Sequence, residues 1–110
     1  MFLNDNARII FYDKPVTMQK GFDSLLSLVI TELKIELTAN TYVLFINSER
    51  NRFKMLFFNH GNISIYAMRL PSPMRIQFEK NIELDGKSFY ELINNLKPKS
   101  LQIRYKINEN

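Results

Sequence analysis

The stretch Thr41-Tyr42-Val43-Leu44-Phe45-Ile46 is followed by the polar run Asn47-Ser48-Glu49-Arg50-Asn51. Then come Phe53-Lys54-Met55-Leu56-Phe57-Phe58, the short segment Asn59-His60-Gly61-Asn62, and Ile63-Ser64-Ile65-Tyr66-Ala67-Met68-Arg69. Three β-branched and aromatic runs separated by two polar segments predict three strands joined by turns. Gly61 and its flanking asparagines tolerate positive φ, which suits a hairpin turn. Connections this short favour antiparallel neighbours, so residues 41–69 predict an antiparallel sheet.

Upstream, Ala7 to Tyr12 is a short strand-like run, ended by Asp13-Lys14-Pro15 because proline cannot continue a ladder. Thr17 then suits a helix N-cap, with Phe22, Leu25, Leu26, Val29 and Leu33 on one apolar helical face. Gly21 within the first turns costs about 1 kcal/mol relative to alanine. Either it admits another backbone closely or the helix starts after it.

Downstream, Pro71-Ser72-Pro73 breaks the third strand. Met74, Ile76 and Phe78 alternate with Arg75, Gln77 and Glu79, and Leu101, Ile103, Tyr105 and Ile107 alternate with Gln102, Arg104 and Lys106. Period two with one apolar face predicts strands with one wet side. Between them lies a helix capped by Asp85, stapled by Leu84 and Phe89, continued by Leu92, Ile93 and Leu96, and ended by Lys97-Pro98. The element order β-α-β-β-β-β-α-β predicts an α+β fold: one domain over residues 1–110, a mainly antiparallel sheet of five to six strands, and two helices on one face.

A chain of 110 residues buries roughly 65% of its unfolded surface on folding. A hydrophobic content of 45% and an aromatic content of 13% fit a packed globule. The absence of cysteine excludes a disulfide framework, thiol catalysis and thiolate metal sites. No apolar run approaches the roughly 20 residues a membrane helix needs, and Met1-Phe2-Leu3-Asn4-Asp5 does not open a signal peptide. The expectation is a cytoplasmic protein without a membrane partner.

Catalytic groups are sparse. His60 is the single histidine, in a turn beside glycine, and reads as a solvated turn residue rather than a general base. Glu32 with Glu36, and Glu79 with Glu83, form spaced carboxylate pairs, but neither belongs to a cluster able to hold two metal ions. Glycine occurs only at 21, 61 and 86, so no phosphate-cradling fingerprint exists. The chain reads as a non-enzyme with no cofactor.

Charge distribution is more telling than the net charge of +4. No acid lies between Glu49 and Glu79, whereas Arg50, Arg52, Lys54, Arg69 and Arg75 do. A hairpin of 53–58 with 63–69 gathers Arg50, Arg52 and Lys54 near Arg69. A second basic set, Lys97, Lys99, Arg104 and Lys106, lies near the C-terminus. Such surfaces suit phosphate contacts. Phe53, Phe57, Phe58 and Tyr66 alternate as strand residues do and read as core rather than as base-stacking platforms.

The run Thr17-Met18-Gln19-Lys20-Gly21-Phe22-Asp23-Ser24-Leu25 carries a Met-x-Lys-Gly-hydrophobic-Asp pattern. It resembles the signature of the small TnpB-type (Orf2) accessory protein of the IS-66 group of insertion sequences. A second match is spread over Phe45, Asn47, Arg50, Arg52, Lys54, Leu56, Phe57, Phe58, Asn59, Gly61, Tyr66, Arg69 and Leu70. The resemblance spans about Arg8 to Leu96. The chain departs from it at Gln19, Ser24, Phe57, Phe58 and Pro71-Ser72-Pro73, where family members carry arginine, glycine, tryptophans and an Arg-Leu-Glu continuation.

The resemblance implies a non-catalytic helper in bacterial transposition, the strand-transfer chemistry belonging to a separate, larger transposase. Implied partners are the cognate transposase and DNA of the insertion-sequence ends, with a nucleoid association if DNA is bound. The alternative is a protein-interaction module that binds the transposase without touching DNA. Candidate contact residues are Lys20, Arg50, Arg52, Lys54, Arg69, Arg75, Arg104 and Lys106. Gly21 and Asp23 are assigned to structure, through close packing and first-turn charge against the helix dipole. Oligomeric state stays open.

Overall fold

The computed structural model describes Leu3, residues 5–59 and residues 61–94. In chain order the elements are β1 (Arg8–Phe11), α1 (Phe22–Leu28) with a following π-helical turn (Val29–Leu33), and β2 (Thr41–Ile46). They continue with β3 (Arg52–Asn59), β4 (Asn62–Arg69), β5 (Glu83–Leu84) and α2 (Gly86–Ile93). Among the described residues five strands form one sheet in the order β4-β3-β2-β1-β5. β1 and β2 are parallel, because the intervening helix returns the chain to the end where β1 began. The other pairs, β1–β5, β2–β3 and β3–β4, are antiparallel. The class is α+β, as the residues predict.

The helices do not share a face as expected; they cover opposite ones. Leu25, Val29 and Leu33 pack with Ile10, Val43, Phe45 and Leu56. Phe89 and Leu92 pack with Ile9, Phe11, Leu44, Ile46, Phe53 and Met55 on the other side. β2 explains why: Val43, Leu44, Phe45 and Ile46 are each 0% exposed. A strand apolar at every position needs cover on both faces.

α1 begins later than Thr17 implies. Gly21 is the N-cap, in extended geometry, and no side chain caps the helix. The Thr17 carbonyl accepts a turn hydrogen bond from Lys20 N–H at 3.2 Å instead. A Cβ at Gly21 meets nothing within 4 Å, so the close-packing role for this glycine falls and the later helix start stands. Asp23 occupies the first turn, where its charge favours the helix dipole. Phe22 is 40% exposed and does not enter the core. After Leu28 the coil widens: Lys34 N–H donates to Val29 O at 2.8 Å, and Thr31 Oγ1 donates back to Ser27 O at 2.7 Å. Lys34 ends the turn in the left-handed region at φ 55°.

The predicted strand at 74–79 is not a strand. Met74 and Ile76 are buried and Arg75, Gln77 and Glu79 exposed, as the alternation implies, but no ladder forms. Pro71 and Pro73 lack the N–H groups a ladder needs, and the segment is stitched to the 47–52 turn instead. Leu70 N–H donates to Asn51 O at 2.7 Å and Met74 N–H to Arg50 O at 2.8 Å. Phe78 stacks on Phe11 with ring centroids 5.7 Å apart. The strand that closes this edge is the two-residue β5, paired with Ile9 and Ile10.

α2 forms as predicted. Asp85 accepts from Ser88 N–H at 2.8 Å, a cap worth about 1 kcal/mol. Leu84 and Phe89 are buried in the same cluster on either side of it. Leu96, the Lys97-Pro98 stop and the strand predicted at 101–107 lie outside the described residues.

The Tyr12 hydroxyl donates to Glu32 Oε1 at 3.0 Å, fastening the end of β1 to the π-helical turn. Burial first, then that hydrogen bond and the nearby Glu32 and Asp13 charges, push the phenol up to about 12. A phenol raised in the folded state contributes stability that is intact below its unfolded value and is lost as pH rises through the folded one. We expect the thermal midpoint of wild type to fall more steeply between pH 10 and pH 12 than that of Tyr12→Phe. Equal slopes in melts across that window contradict the assignment.

Candidate nucleic-acid interface

The 47–52 turn is organised by one side chain. Asn47 Oδ1 accepts from Asn51 N–H at 3.0 Å and Arg52 N–H at 3.1 Å. Its Nδ2 donates to Asn51 Oδ1 at 2.8 Å, and its own N–H donates to Arg52 O at 3.1 Å. Such local side-chain bonds let the backbone leave β2 and re-enter β3 within five residues. Arg50 takes φ 62° in this turn. Its guanidinium is half-buried, and Nη1 donates to Ile76 O at 3.0 Å. Arg50 is therefore committed to holding the 70–76 segment. Arg75 lies between Met74 and Ile76, whose backbones are both bonded to Arg50, and is exposed.

β3 and β4 pair without a break from Arg52↔Arg69 to Asn59↔Asn62, with Lys54 opposite Ala67. Gly61 turns the hairpin at φ +83°. Leu56, Ile63 and Ile65 pack toward α1. By the period of two, Arg52, Lys54 and Arg69 lie on that same face, at its far end. Arg52 and Arg69 are exposed and directly opposed. Like charges in that relation repel and cost stability. Among the described residues the ion pairs are Arg8–Glu83 and Lys14–Glu32, so neither arginine is neutralised there.

Lys20 joins this corner through its backbone: Lys54 Nζ donates to Lys20 O at 2.8 Å. The chain from Tyr12 onward runs beside β2, with Val16 N–H donating to Ile46 O at 2.9 Å. A cleft of about 470 Å³ results, lined by Pro15 to Met18, Asn47 to Glu49 and Arg52. The two sequence stretches that carry the family resemblance thus meet in space although some thirty residues separate them. Sequence reasoning missed Asn47 as the organiser of the corner. Its signal was an asparagine at a strand end followed by a five-residue polar connection.

Phe53 is buried, and Phe57, Phe58 and Tyr66 are half-buried. Phe57 packs on Tyr42 and Phe53 on Tyr66, with centroids 5.3 and 6.3 Å apart. These rings build the core and its rim. The carboxylate pairs are split: Glu83 is held by Arg8 at 2.7 Å, while Glu32 takes Tyr12 and Lys14. Among the described residues no three His, Cys, Asp or Glu side chains converge, and no helix is long and apolar enough to cross a membrane. His60, Lys97, Lys99, Arg104 and Lys106 lie outside the described residues.

On the α1 face, a groove of about 380 Å³ runs between the helix and the hairpin tip, lined mainly by apolar side chains that include Leu26, Ile30, Leu37, Phe58 and Ile63. Ile30 is 61% exposed at its rim.

The family model for IS66 Orf2-like proteins matches residues 7–102. No curated protein and no solved structure matches the chain. The match takes in the helix start, the Asn47 turn and the hairpin whose cations form the corner described above. The chain belongs to the IS66 Orf2-like family, the accessory proteins of insertion sequences.

Proposed function

We propose that this accessory protein contacts the phosphates of insertion-sequence-end DNA through the corner formed by Arg52, Lys54 and Lys20, with Arg69 beside them and Arg75 on the segment that Arg50 braces, and so assists assembly of the transposase–DNA complex. The observation that carries this reading is the opposed Arg52–Arg69 pair, with no ion-pair partner among the described residues of its own chain, at the end of an acid-free hairpin. A like-charge cross-strand contact is unfavourable in the isolated fold, and a polyanion relieves it. Arg50 serves as the internal brace of the corner. Binding of this kind needs no catalytic group, and the chemistry belongs to the transposase. Fluorescence anisotropy of a labelled element-end duplex at low salt tests it. Saturable binding supports the reading, and a flat titration removes its DNA part.

A second reading is a module that binds the transposase without DNA. Phe22 and Ile30, two large apolar side chains exposed on the α1 segment, favour it. Pull-down of the cognate transposase from nuclease-treated solution separates the two. Capture that persists without DNA, combined with a flat anisotropy titration, selects the second.

A further inference from the structure

Among the described residues β4 is an outer strand of the sheet. Proteins usually protect such edges with short strands, charges, prolines or bulges. β4 has eight residues, pairs with β3 residue for residue without a bulge, and bears a single charge, Arg69, at its last position. Among the described residues nothing pairs with this edge along its length.

We propose that β4 pairs antiparallel with β4 of a second copy of this chain, continuing the sheet across a two-fold axis. A two-fold normal to the sheet keeps the α1 faces of both copies on one side, so odd-numbered β4 residues oppose odd-numbered ones. The register centred on Tyr66 sets Arg69 opposite the partner's Ile63. Ile63 lines the groove that Glu36 also lines, and Glu36 is exposed with no ion-pair partner among the described residues. Arg69 thereby meets the partner's Glu36, and symmetry repeats the contact. The two Arg69 side chains sit at opposite ends of the ladder, six residues or about 20 Å apart along the strand, beyond the reach of unscreened repulsion at physiological salt. Both halves of the complementary contact, the cation closing β4 and the acid beside its start, belong to this one chain. That self-complementarity selects a second copy over an unrelated strand. The proposal does not rest on DNA contact.

Sedimentation equilibrium of the full chain at micromolar concentration, without DNA, tests it. We expect a dimer of twice the 13.1 kDa chain mass. Arg69→Glu and Glu36→Arg should each weaken dimerisation about tenfold or more, and the E36R/R69E double variant should restore it. Both positions are exposed, and thermal melts of the singles confirm that the fold is kept. A monomer across the concentration range overturns the proposal. If the β4 amides of that monomer exchange slowly, another segment of the same chain covers the edge. A dimer indifferent to both reversals, or one the double variant fails to rescue, overturns the pairing as well.

Discussion

Arg52→Glu is expected to leave the fold at least as stable as wild type while weakening DNA binding about tenfold or more. The two effects run in opposite directions for one reason. Arg52 faces Arg69 across the β3–β4 ladder, and replacing a like-charge cross-strand pair by an opposite one gains roughly 0.2–1 kcal/mol. On DNA the same change removes a phosphate contact and puts an anion in its place, at a cost that falls evenly on all sequences. A residue whose loss stabilises the fold and harms binding is held for function. Chemical denaturation and duplex anisotropy on the same preparation read both quantities. Unchanged affinity excludes Arg52 from the interface, and a clear loss of stability excludes the repulsive pair.

Phe53→Ala is expected to cost about 3–5 kcal/mol, lowering the melting midpoint by on the order of 15–30 °C for a domain of this size. Phe53 is 1% exposed. It meets Phe89 of α2 edge-on at 5.4 Å and Tyr66 of β4 at 6.3 Å. It therefore ties the hairpin to the layer on the opposite face from α1. Its neighbours Arg52 and Lys54 point the other way, so the basic corner inherits its position from this ring. Total stability for a chain of this length is roughly 5–15 kcal/mol, and the variant should approach the limit of folding at 37 °C. A loss below about 1 kcal/mol in denaturant unfolding contradicts the view that Phe53 anchors the hairpin.

The meander 41–69 was legible because its signals agree: β-branched and aromatic runs, short polar connections, and a glycine where the hairpin needs positive φ. Asp85 was legible for the same reason, since cap, staple and apolar face coincide. The segment 74–79 was not, because alternation reports which side chains are buried and not where backbone bonds go. Met74 and Ile76 satisfy the pattern against the Arg50 turn without a ladder. The placement of the helices was visible in principle, in the four consecutive apolar residues Val43 to Ile46, whose burial on both sides requires two covering layers. β5, at two residues, is too short for any periodicity to mark.

For the site, spacing along β3 and β4 is enough to place Arg52, Lys54 and Arg69 at one end of the hairpin. It gave no sign that Arg50 turns inward to Ile76 or that Lys54 reaches the Lys20 carbonyl. Those contacts join segments that are distant in sequence. They depend on how the 12–21 loop and the 70–76 segment lie against the turn.

Phosphate contact by the corner is read out by the salt dependence of wild-type affinity for an element-end duplex. Each engaged cation contributes about −0.9 to the slope of log K against log salt, so Lys20, Arg52 and Lys54 together predict a slope of roughly −2.7 or steeper. A slope near zero, or no binding at low salt, contradicts it.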